Sequence, residues 1–194
     1  ENGSTRTVST VMGEIEVPLE PQRVVVNWYI GDVLAAGLNV VGYFCWAQET
    51  MPFYDDMLAT SKIEKWEPED IMALDPDLII TYSKDDFAAF NKIAPVLVIE
   101  ESVTPPERTR IIGEAAGASE TAAENIANFE TKLADAKEVF KAESFEGKTF
   151  SILEDSGPSG DWSGIYYETG SRGGTLVYTY LGLQYPDKLK ELID

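Results

Sequence analysis

Four short apolar runs punctuate the first half of the chain: VVVN at 24–27, VVGYF at 40–44, DLIIT at 77–81 and VLVIE at 96–100. Such continuous apolar runs of four or five residues read as strands buried on both faces, the pattern of a parallel sheet. Helical segments separate them. GDVLAAGL (31–38) carries helix formers and closes at Gly37, PEDIMAL (68–74) places Pro68 in a first turn, and DDFAAFNKI (85–93) is helical in pattern. Residues 24–100 therefore alternate β-α-β-α-β-α-β, which specifies an α/β layer with a parallel sheet.

The flanks extend this unit. TVSTVMGEIEV (7–17) alternates around Met12-Gly13 and predicts a hairpin, and PLEPQR is a proline-marked connector. PERTRIIGEAAG is a helix closed near Gly117, and a second helix starts with Ser119 as its cap. Its apolar residues Ala122, Ile126, Phe129, Leu133, Ala136 and Phe140 fall on one helical face. Extended over 119–143, it is a rod of about 37 Å, read here as a spine between lobes. Beyond it, KTFSILE (148–154) and GIYYE (164–168) are expected strands, and GGTLVYTYLG (173–182) and PDKLKELI (186–193) expected helices. The expected organisation is an N-terminal α/β lobe at 1–105, a helical segment with the spine at 106–143, and a partial C-terminal α/β lobe at 144–194. There are no fixed-period repeats and no low-complexity tracts.

Composition removes several function classes. The chain has no histidine and one cysteine, Cys45. This rules out a Ser-His-Asp or Cys-His nucleophile and an internal disulfide, and it removes the usual transition-metal ligands. A net charge of −19 repels polyanions, so nucleic acid is a poor partner. No apolar run approaches the roughly 18 residues of a membrane span. The polar start ENGSTRT lacks the signal-peptide pattern and reads as the beginning of a mature chain.

Aromatic residues follow the parallel strands. Trp28 and Tyr29 follow the first, Trp46 the second and Tyr82 the third. Ligands of open α/β sheets bind outside the carboxyl ends of the strands. The reading stands between an aromatic ligand cradle and rim packing. Asp55-Asp56 and Asp85-Asp86 match no metal motif, and beside helix starts they read as caps and solvated surface. The stretch GSRGG (170–174) lacks the lysine of a phosphate loop and the position of a dinucleotide fingerprint. What remains is Arg172, after a strand and before a helix. It is either an anion-directed guanidinium or a surface residue on a glycine turn.

Three segments, VPLEPQRVVVNWYIGDVLAAGLNVVGY, WEPEDIMALDPDLIITYSKDDFAAFNKIAPVLVIE and SRGGTLVYTYLGLQYPDKL, resemble the iron–siderophore-binding proteins of ABC importers. These form the helical-spine class that also includes ferrichrome- and vitamin B12-binding proteins. PEDIMALDPDLIITY followed by KIAPV carries the likeness most specifically. The resemblance implies a two-lobed α/β receptor with parallel sheets joined by a long helix, and no enzymatic activity. It implies a ferric siderophore as ligand, with no cofactor and no protein-held metal, since the chelate itself holds the iron. By position, Trp28, Tyr29, Trp46 and Tyr82 would form the N-lobe wall of the cleft, and Arg172 the C-lobe wall, with Trp162 and Tyr166 as weaker candidates. Glu69 matches the residue through which such proteins contact their permease, the expected partner. The location implied is extracytoplasmic, as a lipid-anchored surface protein or in the periplasm. The anchor lies outside this chain, and the receptor is expected to be monomeric.

Two features refine this expectation. Arginines are scarce, which favours hydroxamates over polycarboxylate chelates that need several guanidinium partners. A corrinoid or haem is the alternative ligand, and haem would need a tyrosine to hold its iron. An α/β enzyme acting on a phosphorylated or sugar substrate is a further alternative, as is a structural surface module. The family pattern also continues for about another hundred residues, so the second lobe is expected to be partial and binding by this chain weak.

Overall fold

The computed structural model describes residues 4–160, 163–170 and 172–193. It divides into two compact units, Glu1–Ala127 and Asn128–Asp194.

The first unit is built on a five-stranded parallel sheet. Its strands are β3 (Val24–Asn27), β4 (Val40–Phe44), β5 (Ser61–Lys62), β6 (Leu78–Thr81) and β7 (Val96–Val98), in the order β5-β4-β3-β6-β7. The central strands β3 and β6 are buried along their whole length, as their unbroken apolar runs require. Alternation sends their side chains to opposite faces of the sheet. Val24, Val26, Leu78, Ile80 and Leu97 join one core with Ile30 and Val33 of helix α1 (Ile30–Ala35) and Ile112 of α5 (Pro105–Ala115). Val25, Ile79, Val96 and Val98 join a second core with Ile71 of α3 (Pro68–Met72) and Phe90 of α4 (Asp85–Phe90).

Local chemistry sets the boundaries. Helix α1 ends where Gly37 takes φ +78, with the Gly37 N–H donating to the Leu34 carbonyl and the Leu38 N–H to that of Val33. That is the pairing of a Schellman stop, which favours glycine because the backbone is left-handed there. The expected hairpin forms from β1 (Thr5–Thr10) and β2 (Gly13–Pro18), and Ile15 and Val17 enter the first core. Two elements between 45 and 67 were not anticipated: helix α2 (Tyr54–Leu58) and the two-residue strand β5.

Helix α6 runs over Ser119–Phe140, shorter than expected by three residues, because the chain passes into a 3₁₀ turn at Glu143–Phe145. Between residues 121 and 140, the six positions assigned to one face are the ones shielded from solvent. Ala122 is buried, and Ile126, Phe129, Leu133, Ala136 and Phe140 are partly so.

The second unit departs from the expected parallel arrangement. Strands β8 (Ile152–Asp155) and β9 (Ile165–Glu168) pair antiparallel, and among the described residues of this unit parallel pairing is confined to a bridge between Thr149 and Gln184. The segment expected as a helix after Gly174 is a π-helical turn, Thr175–Tyr180, and α7 covers Asp187–Ile193. Aromatic side chains supply much of the packing. Phe140, Phe145 and Phe150 cluster, Phe129 meets Tyr180, and Tyr178 lies 4.0 Å from Tyr185 between ring centroids. Among the described residues of this unit, Leu189 is the one buried large apolar side chain. Leu153, Ile165 and Tyr167, all on one face of the β8–β9 hairpin, are exposed. Among the described residues, no helix is long and apolar enough to cross a membrane.

Candidate functional site

The sheet of the first unit brings three expected aromatics to its carboxyl end. In the register of β3 with β6, Val24 stands opposite Leu78 and Val26 opposite Ile80. Trp28 and Tyr82 therefore leave the sheet at the same level. Asn27 pairs with Phe44 at the end of β4, which delivers Trp46 beside Trp28. The backbone of Trp28 takes φ 72, uncommon for a bulky residue, and its N–H donates to the Phe44 carbonyl at 3.1 Å. The rings of Trp28 and Trp46 meet edge to face, 5.3 Å between centroids at 66°. Both indoles remain open to solvent, Trp28 at 44% and Trp46 at 63%, and Tyr82 is 36% exposed. Exposed, mutually packed aromatics at the carboxyl ends of adjacent parallel strands present an open aromatic surface where this fold class takes ligands.

Tyr29 departs from the expected role. It is only 5% exposed, and its hydroxyl donates to the Ile99 carbonyl at 3.0 Å. Its ring lies 6.4 Å from that of Tyr82, edge to face, and the Arg108 guanidinium sits 4.5 Å above its centroid. Arg108 also donates to Asp32 at 3.1 Å and to the Val103 carbonyl at 2.7 Å. Tyr29 thus stands beneath the exposed surface and supports Tyr82. Burial pushes its phenol up to about 12, against the opposing pull of Arg108. Burial likewise raises the Asp32 carboxyl above its ordinary range, again opposed by Arg108.

Asp86 also differs from its expected place as cap or solvated surface. Its Oδ2 accepts hydrogen bonds from the Thr81 hydroxyl, from Trp66 Nε1 at 2.8 Å and from Asn27 Nδ2 at 3.4 Å. Asn27 and Thr81 are buried. This cluster was invisible to local pattern because its members lie 5, 20 and 59 residues from Asp86. Asp55 and Asp56, in contrast, lie exposed in the first turn of α2, as expected.

Beside Tyr82 a hollow of about 290 Å³ is lined by Ser83, Lys84, Asp85, Glu100 and Glu101, with Lys84 paired to Glu100 at 2.7 Å. Among the described residues no group of three or more Asp, Glu or Cys could hold a metal ion. Burial raises the Cys45 thiol to about 11, so little thiolate is available for chemistry.

In the second unit Arg172 adopts φ 51 and donates to Glu154 at 3.0 Å. Glu154 faces Tyr166 across the β8–β9 register, and the Tyr166 hydroxyl donates to the Ser163 carbonyl. Strand pairing sets Glu154 beside Tyr166, and Arg172 joins them through its bond to Glu154. Trp162 lies outside the described residues. Gly174 is required by packing, because a Cβ there would fall 2.4 Å from the Thr169 carbonyl carbon. The other four arginines are engaged in the first unit. Arg6 binds carbonyls of Leu19 and Glu114, Arg23 those of Leu74 and Asp75, Arg108 binds Asp32, and Arg110 pairs with Glu107 and Glu114. Glu69 lies exposed in the first turn of α3, next to Asp70.

Comparison with known proteins gives a consistent set of relatives. The chain is 31% identical over 196 residues to the iron(3+)-hydroxamate-binding protein YxeB of Bacillus subtilis, covering 98% of this chain and 60% of that protein. It is 29% identical to the iron(3+)-hydroxamate-binding protein FhuD of the same organism, covering 61% of it. Among solved structures, the FhuD-fold protein BSU3320 of Bacillus subtilis, described as a periplasmic binding component of a ferrichrome ABC transporter, superposes with a TM-score of 0.76 at 28% identity. That match covers 95% of this chain and 68% of the other. The FhuD protein of S. pseudintermedius gives a TM-score of 0.75 at 26% identity, over 97% of this chain and 69% of that one. The chain spans about three fifths of the length of the curated relatives it matches. No protein-family model matches it.

Proposed function

We propose that this chain, which in sequence and fold is of the FhuD-type class of siderophore-binding proteins, forms most of a receptor for a ferric hydroxamate chelate. The receptor acts outside the cytoplasm and delivers its ligand to an ABC permease. The observation that carries this reading is the exposed edge-to-face pair of Trp28 and Trp46, level with Tyr82 at the strand ends. A ferric trihydroxamate is neutral in its chelate core, and an uncharged aromatic surface suits it. The near-absence of uncommitted guanidinium groups argues against polycarboxylate chelates, which need several. Tyr29 serves as support for Tyr82. Arg172 and Tyr166 are proposed as further ligand contacts, and the exposed Glu69 as the permease-facing residue. The chemistry is that of binding, and the iron stays with its chelator.

Titration of tryptophan fluorescence tests this reading. A ferric trihydroxamate should quench saturably and more strongly than ferric citrate or haem at equal concentration. Saturable quenching by haem or ferric citrate alone would replace the hydroxamate assignment.

A further inference from the structure

We infer that Asp86 is a positioning residue that sets the spacing of the aromatic wall. This inference rests on the binding role proposed above. One carboxylate oxygen gathers three neutral donors, each from a different segment: the amide of Asn27, the hydroxyl of Thr81 and the indole N–H of Trp66. Asn27 is the last residue of β3 and Thr81 the last of β6, the two central neighbours of the sheet. The residue after each is an exposed aromatic of the wall, Trp28 and Tyr82.

The third donor reaches the remaining member. Trp66 stacks on Phe44 at 5.7 Å and 27°, and packs against Phe90 edge to face. Phe44 ends β4, accepts the Trp28 N–H through its carbonyl, and lies two residues before Trp46. Asp86 is therefore tied to the strand ends that bear Trp28 and Tyr82 directly, and to the one that bears Trp46 through Trp66. The Thr81 hydroxyl spends its proton on Asp86 and accepts from Asn27 Nδ2 and from the Ser83 N–H, which closes the network beside Tyr82. Hydrogen bonds to an ionised acceptor are stronger and shorter than those between neutral groups. Removing the acceptor leaves buried donors unpaired, and the strand ends lose their common anchor.

Asp77 supplies a matched control. Its carboxylate accepts the backbone N–H groups of Gln22 and Arg23 at 2.7 and 2.8 Å, next to the opposite ends of the same two strands. Asp86→Ala, Asp86→Asn and Asp77→Asn should be compared by two readouts. The first is the indole resonances of Trp28 and Trp46, with the backbone amide resonances of Trp28, Trp46 and Tyr82, in ligand-free protein. The second is affinity for a ferric trihydroxamate. Asp86→Ala should shift the wall resonances and weaken chelate binding about tenfold or more. Asp86→Asn, which keeps one acceptor oxygen, should restore part of both, and it carries the test if the alanine variant does not fold. Asp77→Asn should lower the melting temperature without moving either readout. Wall resonances unchanged in both Asp86 variants, or moved equally by Asp77→Asn, would overturn the positioning role. The ligand-free resonances decide this even if the wild-type protein ignores hydroxamates, an outcome that would count against the binding role alone.

Discussion

Arg172 donates from Nη2 to the Glu154 carboxylate across 3.0 Å, and Glu154 stands opposite Tyr166 in the β8–β9 pairing. The arginine that sequence reasoning left between anion contact and surface residue is thus already partnered, on a turn where backbone conformation requires Gly173 and packing requires Gly174. An exposed pair of this kind contributes about 0–1 kcal/mol to stability. Arg172→Ala should therefore leave the melting temperature nearly unchanged. If the guanidinium exchanges Glu154 for the oxygens of a chelate, the same substitution should weaken binding by about 1–3 kcal/mol. Unchanged affinity would make GSRGG a structural turn and nothing more.

Arg108→Leu should be among the costliest substitutions in the first unit. It strands the largely buried Asp32 carboxylate and removes the cation over Tyr29. Breaking one side of such a pair costs about 3–5 kcal/mol when it is fully buried. Asp32 has a raised folded-state pKa, so its neutral form is favoured by folding and stability falls as pH rises through that value. Without Arg108 the pKa rises further. The stability gap between variant and wild type should narrow as pH is lowered from 7 toward the carboxyl range, as read by urea midpoints. A gap independent of pH would contradict this account of Asp32.

Tyr29 should resist ionisation until about pH 12. The unfolded chain ionises near 10, so the stability held by the neutral phenol is complete below 10 and is lost as pH climbs through about 12. Tyr29→Phe should remove that alkaline loss and cost about 1 kcal/mol at neutral pH through the missing bond to Ile99. Alkaline denaturation identical in wild type and variant would show that Tyr29 is not the group responsible.

Gly174→Ala should destabilise the second unit by about 1–3 kcal/mol, because its methyl meets backbone atoms of Thr169 that cannot swing away. Thermal unfolding equal to wild type would mean that the turn relaxes freely.

Leu153→Ser and Ile165→Thr should change stability by less than about 0.5 kcal/mol, since both side chains are exposed on the hairpin. They should also reduce self-association at high concentration, measured by light scattering, because they break up an open apolar face. Strong destabilisation would mean that this face is covered.

The parts of the fold that were legible share a property: their signals are local. VVVN, DLIIT and VLVIE announce buried parallel strands, Gly37 announces a helix stop, and the shielded stripe of α6 matches its apolar spacing residue for residue. What was missed depends on distant partners. Nothing near Asp85-Asp86 says that the second carboxylate turns inward to Trp66 and Asn27. The antiparallel pairing of KTFSILE with GIYYE did have a local signal, a connection too short for a parallel crossover, which the family expectation of parallel sheets overrode. Tyr29 and Trp28 are neighbours in the sequence, yet one is buried and the other open. The chain leaves the sheet there through a left-handed backbone at Trp28, which no local motif marks.

The aromatic wall is tested most directly by nuclear magnetic resonance of the tryptophan indoles during addition of a ferric trihydroxamate. High-spin iron broadens signals in proportion to their closeness. Trp66, beneath the wall and hydrogen-bonded to Asp86, is an internal reference. The indole signals of Trp28 and Trp46 should broaden first and together, and a gallium chelate should shift them without broadening. Broadening of Trp66 ahead of Trp28 and Trp46, or no response of these two at saturating chelate, would contradict the assignment of this surface as the ligand wall.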